Sequence, residues 1–300
     1  MIHLYYNELY HLDLPADHRF PMQKYPLIQE QLLYEETFDA CNFVSPKPAS
    51  NIQIGRVHTT EYIKKLENGL LTRKEIRRTG FPYSKALVQR EKTISGGTID
   101  ATSSALQQGI AFNLAGGTHH AYPDHGEGFC LFNDIAIAAT EYRIQNPNHR
   151  TLIIDLDVHQ GNGTAHIFQN TPEIFTFSIH GAKNYPLHKE KSDFDIAVNE
   201  DITDSQYLEL VSLHTNQLIK SHKPHIVYYL AGVDILNTDK LGKIGVSKAT
   251  CRERDIIVLE QLHKHSIPVV VVMGGGYAHR LADIIDAHCN TFRVAKTIYE

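Results

Sequence analysis

Thr151-Leu152-Ile153-Ile154 runs without a break into Asp155-Leu156-Asp157-Val158-His159-Gln160-Gly161-Asn162-Gly163. The first four residues form a short apolar run of the kind that fills a strand buried on both faces. The rest carries two carboxylates and an imidazole at alternate positions. On extended backbone Asp155, Asp157 and His159 point one way, and Ile154, Leu156 and Val158 point the other. Burying unpaired carboxylates is costly, and a divalent cation removes that cost. Two carboxylates and an imidazole suit Zn²⁺ or another first-row ion. A surface loop beyond the strand end fits the pattern equally well, so the other strand ends have to decide.

The same grammar recurs along the chain. Ile110 to Leu114 leads to Gly116-Gly117-Thr118-His119-His120, and Ile226 to Leu230 leads to Ala231-Gly232-Val233-Asp234. Pro268 to Met273 leads to Gly274-Gly275-Gly276-Tyr277, and Ile174 to Ile179 is a further apolar run. Helical patterns lie between them at Asn133–Arg143, Ser205–Lys220 and Lys248–His265. Alternation of this kind predicts an α/β fold with a mostly parallel sheet. No Pro/Gly/Ser linker divides residues 1–300, so one domain is expected. The first hundred residues read as helices and loops. In such folds ligands bind at the carboxyl ends of strands. There Asp234 adds a carboxylate to the set, leaving a fourth position for water. His119 and His120 both face a cleft if the turn after the glycines is tight; two exposed loop histidines are the plainer reading. Neither glycine run fits a phosphate-binding pattern, which argues against a nucleotide-binding protein.

Bulk composition narrows the classes. Hydrophobic residues make up 42% and charged residues 21% of 300, which excludes a disordered or collagen-like chain. A net charge of -5 offers no field to gather nucleic acid or a membrane surface. Arg73, Lys74, Arg77 and Arg78 read as a solvated helix face. The four cysteines form no C-x-x-C pair, which excludes a zinc finger or thioredoxin-like motif. Dispersed thiols, no signal-like start and no apolar run long enough for a bilayer give a cytoplasmic expectation. The 19 histidines by themselves point nowhere in particular.

Five stretches, in order, resemble the zinc-dependent histone deacetylase family of the arginase/deacetylase fold. They are Gly116–Ala121, Gly126–Asp134, Asp155–Gly163, Gly232–Leu236 with Asp239 and Leu241-Gly242, and Gly274–Tyr277. The resemblance is to the class IV branch and bacterial deacetylase-like members. It implies a single-domain three-layer sandwich around about eight mostly parallel strands. It implies Asp157, His159 and Asp234 as ligands of one Zn²⁺ per chain, with Fe²⁺ as the alternative. His119 and His120 become the proton-handling pair, oriented by Asp155 and Asn162, and Tyr277 the oxyanion donor. Gly128, Phe129, Tyr185, Leu241 and Gly275 become substrate contacts. Asp155, Asp157, His159, Ser178 and Ile179 become a K⁺ site, with His180 placed at the rim. A two-metal relative of the arginase type expects Asp at position 161, where this chain has Gly.

The activity so implied is removal of acetyl or longer acyl groups from lysine side chains in proteins. Alternatives are the same chemistry on a small acylated amine such as an acetylpolyamine, and a non-catalytic acyl-lysine or partner-binding protein. Nothing in the sequence speaks to oligomeric state. One departure stands out. The rim segment Thr79–Lys85 lacks the carboxylate with which many members grip a peptide backbone.

Overall fold

The computed structural model describes residues 1–300. Eight strands form one sheet: β1 (His3–Tyr5), β2 (Phe43–Val44), β3 (Ile110–Asn113), β4 (Thr151–Asp155), β5 (Ile174–Gly181), β6 (Phe194–Val198), β7 (Ile226–Leu230) and β8 (Val269–Val272). Their order is β2-β1-β3-β8-β7-β4-β5-β6, and every pair is parallel. The helices are α1 (Lys24–Tyr34), α2 (Asn51–Ile54), α3 (Thr60–Asn68), α4 (Arg73–Thr79), α5 (Lys85–Gln108), α6 (Asp134–Gln145), α7 (Asn162–Phe168), α8 (Asp204–His222), α9 (Lys248–Lys264) and α10 (Leu281–Tyr299).

Four of the apolar runs seen in the sequence are the central strands β3, β4, β7 and β8, buried at every residue, and the run from Ile174 is β5. Alternation within them sorts side chains onto two faces. Leu152, Ile154, Val227, Tyr229, Val269 and Val271 share a core with Ile28, Val211, Leu259 and Phe292 from α1, α8, α9 and α10. Ile153, Tyr228, Val270 and Val272 pack instead with Ala101, Ala105, Ile135 and Ala139 from α5 and α6. This is a three-layer α/β/α sandwich. The strands β1, β2 and β6 escaped notice because they lie at the margins of the sheet, β2 and β6 as its edges and β1 just inside β2. The first two are 3 and 2 residues long, and β6 is largely part-exposed, so none shows a continuous apolar run.

Chain direction across the sheet changes at β4. From there β5 and β6 step one way, whereas β7 and β8 step the other. A crevice opens at the carboxyl ends of strands at such a switch point. A third cluster of side chains, among them Phe20, Tyr25, Tyr62, Phe81, Phe132 and Tyr277, forms a separate apolar wall.

Glycine is required where the loops after β3 and β8 meet. Gly117 has φ +75°, and a Cβ there would stand 2.7 Å from the Gly274 Cα. Both faults are backbone faults that side-chain movement cannot relieve. Gly117→Ala is expected to cost on the order of 3 kcal/mol or more, read from equilibrium denaturation.

Candidate active site

Beyond β4 the chain is not a strand, and the alternate spacing works through side-chain turns. Asp155 Oδ1 accepts the Asp157 N–H at 3.1 Å, and Asp157 Oδ1 accepts the His159 N–H at 2.9 Å. Each carboxylate thereby fixes the backbone two residues on. Leu156 and Val158 stay fully buried on the opposite side. From beneath, the fully buried Arg254 of α9 donates to the carbonyls of Gly232 at 2.5 Å and Leu156 at 3.3 Å. One guanidinium thus ties the exits of β4 and β7 together.

Asp157, His159 and Asp234 bring one donor atom each within 4.8 Å of one another. His159 Nδ1 lies 3.0 Å from Asp157 Oδ1 and 3.0 Å from Asp234 Oδ2. The outer oxygens are occupied: Asp157 Oδ2 accepts the Gly275 N–H at 2.7 Å, and Asp234 Oδ1 accepts the Val158 N–H at 3.0 Å. Burial would lower the imidazole, but its bonds to both carboxylates push it up to about 10. Burial and then the charge of Asp157 push Asp234 up to about 7. Two buried carboxylates that must share one imidazole proton make a site that calls for a cation. The O,N,O donor set fits a first-row divalent ion such as Zn²⁺ or Fe²⁺.

His119 and His120 follow Gly116 (φ +80°) and Gly117, and their ring centroids are 4.1 Å apart. Asp134, the first residue of α6, holds that loop by accepting from the Thr118 N–H at 2.8 Å and its hydroxyl at 2.6 Å. His119 Nδ1 meets Asp155 Oδ2 at 2.6 Å, and His120 Nδ1 meets Asn162 Oδ1 at 2.6 Å. Burial lowers both rings, but the Asp155 charge leaves His119 raised. His120, with neutral Asn162 and two imidazole neighbours, stays well below the usual value. Gly161 lies under this pair. A Cβ there would stand 2.5 Å from Asp155 Oδ2, so no side chain fits at that position.

Tyr277 is buried, and its N–H donates to Asp239 Oδ2 at 2.6 Å. Burial and then the charge of Asp234 and Asp157 hold its phenol well above the usual range. Gly128, Phe129, His120, His159 and Tyr277 line one opening together with Tyr185 and Leu241. Gly275 lines the inner pocket, where a Cβ would stand 2.0 Å from Asp234 Oδ2. Phe129 takes φ +66°, strained for an aromatic residue, with its N–H donating to the Thr79 carbonyl at 2.8 Å. Asp155 and Ser178 are register partners on β4 and β5, with Ile179 next to Ser178. His180 is not at the rim. It is buried, with Nδ1 2.9 Å from Ser178 Oγ, because β5 continues past Ile179 into the sheet.

Two features were invisible or misread in the sequence. Arg77 and Arg78 are not merely a solvated helix face, since both line the opening. Glu127 carried no expected role, yet it is the hub behind His120. Its Oε1 accepts from Asn162 Nδ2 at 2.6 Å and the Tyr185 hydroxyl at 2.7 Å, and its Oε2 from Arg78 at 2.7 Å. Burial opposes its charge, but the His125 imidazole 3.8 Å away, hydrogen bonds from Tyr185 and Asn162 and then the Arg78 charge bring it down to about 2. A carboxylate set between Gly126 and Gly128 was the available signal.

An eight-stranded parallel sheet with a buried O,N,O ligand set and a histidine pair at its switch point defines an α/β protein of the arginase/deacetylase fold. The histone deacetylase domain matches residues 18–292, and the chain belongs to that family. An uncharacterized protein of Picosynechococcus sp. is 40% identical over 295 residues, covering 97% of this chain and 98% of its own. Histone deacetylase 2 of Arabidopsis thaliana is 28% identical over 278 residues, 89% of this chain and 72% of its own. The crystal structure of a histone deacetylase homologue from Aquifex aeolicus superposes with a TM-score of 0.83 at 21% identity, covering 98% of this chain and 83% of that one.

Proposed function

We propose that residues 1–300 form one catalytic domain, a metal-dependent deacylase that frees acetyl or longer acyl groups from lysine side-chain amines. The observation that carries this is the convergence of Asp157–His159–Asp234, the His119–His120 pair and Tyr277 on one pocket. Family membership and the deacetylase relative support the same chemistry. A binding module would need neither the histidine pair nor the tyrosine. The Asp155/Ser178 neighbourhood is the place for a K⁺ ion with a structural role.

When bound, a divalent ion held by Asp157, His159 and Asp234 supplies Lewis acidity toward the amide carbonyl and toward water. The chain's own residues then handle protons and position. Glu127 can only accept, so it draws the Asn162 amide nitrogen toward itself and turns Asn162 Oδ1 to His120. His120 therefore carries its proton on Nδ1 and presents a bare Nε2, the form that accepts a proton from attacking water. Asp155, 2.6 Å from His119 Nδ1, raises the proton affinity of that ring and so favours its charged form. Tyr277 donates its hydroxyl where negative charge develops on the carbonyl oxygen. The C–N bond breaks as the amine leaves with a proton from the histidine pair. Amide plus water gives amine and carboxylate.

Glu127→Gln tests the positioning step. A glutamine can donate as well as accept, so Asn162 loses its fixed orientation. We expect kcat to fall roughly 10–100-fold with KM little changed. An unchanged kcat would remove Glu127 from the mechanism. The function as a whole is tested by turnover across acyl lengths and amine carriers, with bound metal quantified. Zinc-loaded protein that hydrolyses no acyl-lysine, acyl-polyamine or fluorogenic amide would favour the binding-protein alternative.

A further inference from the structure

The opening above His120, His159 and Tyr277 is a cavity of about 400 Å³, lined by Arg19, Arg77, Arg78, Lys183 and Lys243 and by no Asp or Glu. That is unexpected on a chain with a net charge of -5. Arg78 is neutralised by Glu127 at 2.7 Å, and Lys183 lies 3.9 Å from Glu200. Arg19, Arg77 and Lys243 have no ion-pair partner and are exposed. They come from three separate places: the segment before α1, helix α4 and the loop after β7. Three unpaired cations from three segments therefore ring this opening. Exposed pairs in water are weak one at a time. In a cleft with low-dielectric walls, charges of one sign focus the field and raise the local concentration of an oppositely charged substrate.

We propose that this mouth selects an acylated amine on an anionic carrier, with carboxylates or phosphates placed close to the acylated side chain. The proposal rests on the deacylase reading above and names its substrate class. A cationic polyamine tail, or a lysine- and arginine-rich peptide, meets repulsion at the same ring. The anionic group can belong to an acidic protein segment or to a small amine bearing a carboxylate. The shared chemistry is the negative charge within reach of Arg19, Arg77 and Lys243.

The test uses the zinc-loaded full chain and compares kcat/KM for acetyl-lysine peptides flanked by Glu, Ser or Lys. A second arm compares Nε-acetyl-lysine carrying a free carboxylate, its neutral amide, and acetylspermidine. We expect the Glu-flanked peptide to exceed the Lys-flanked one by about tenfold or more at low ionic strength. The ratio should shrink to within about threefold at roughly 0.5 M salt, where the Debye length falls to a few ångström. Arg77→Glu with Lys243→Glu should abolish or invert the ratio, and Arg19→Gln should weaken it. A gain confined to peptides identifies an acidic protein segment as the source, and one confined to the free carboxylate identifies a small amine. Equal rates, or a preference for cationic carriers, overturn the proposal while leaving the deacylase intact. Absence of turnover in every arm overturns both.

Discussion

Asp234→Asn is expected to lose bound metal and hydrolase activity together, with activity falling more than about 100-fold. The substitution nearly preserves shape. Its oxygen can still accept the Val158 N–H, and its nitrogen falls where Asp234 Oδ2 met His159 Nδ1. What disappears is one of two buried negative charges. Metal-free wild type is strained by that charge, because burial and Asp157 push the Asp234 carboxyl up from 3.8 to about 7. A carboxyl raised on folding binds its proton more tightly in the folded state. Metal-free stability therefore falls as pH rises from near 4 through about 7. The Asn variant lacks that decline, so at pH 8 it should be at least as stable as chelated wild type in urea denaturation. Zinc should stabilise wild type by mass action and the variant hardly at all. Full activity in a variant without metal would end the metal-dependent reading, and a variant that merely unfolds would show that Asp234 is structural.

The architecture was legible in the sequence where strands are buried on both faces. The runs at 110–114, 151–154, 226–230 and 268–273 are apolar apart from Thr151 and the hydrogen-bonded Asn113, because each central strand must satisfy two cores. The outer strands β1, β2 and β6 were not legible, since short or half-exposed segments carry no such constraint. Among site residues, those with scarce chemistry at strand ends stood out: Asp155, Asp157, His159, Asp234 and the histidine pair. Asp155 illustrates what spacing cannot decide. It shares the alternation of Asp157 and His159, yet the fold turns it to His119, leaving Asp234 to complete the trio. The supporting residues were hidden for a different reason. Arg254 lies within a helical pattern, where a charged residue ordinarily faces water, and only its contacts with the Gly232 and Leu156 carbonyls and its ion pair with buried Asp255 at 2.8 Å explain its burial. Glu127 and Arg77 acquire meaning only when α4, the Gly126–Gly128 stretch and Tyr185 meet around one opening, a meeting between segments far apart in the chain.

Tyr277→Phe is expected to lower kcat by roughly 10²–10³ while KM moves little, the size reported for removal of one oxyanion donor. The surroundings make the comparison clean. The ring packs against Phe129 at 5.9 Å, Phe20 at 6.1 Å and His159 at 6.4 Å, contacts that phenylalanine keeps. The loop is fastened through the backbone, where the Tyr277 N–H donates to Asp239 and Lys24 Nζ donates to the Gly274 carbonyl at 2.9 Å. Neither tie involves the hydroxyl, so Tm should shift little. The phenol is held well above its usual pKa by burial and then by Asp234 and Asp157, which keeps it a donor through the working pH range. A neutral carbonyl gains little from that donor in the ground state, and the developing oxyanion gains much. The loss should therefore fall on kcat. A rise in KM at constant kcat would instead make Tyr277 a wall of the tunnel, and unchanged kinetics would remove it from the reaction altogether.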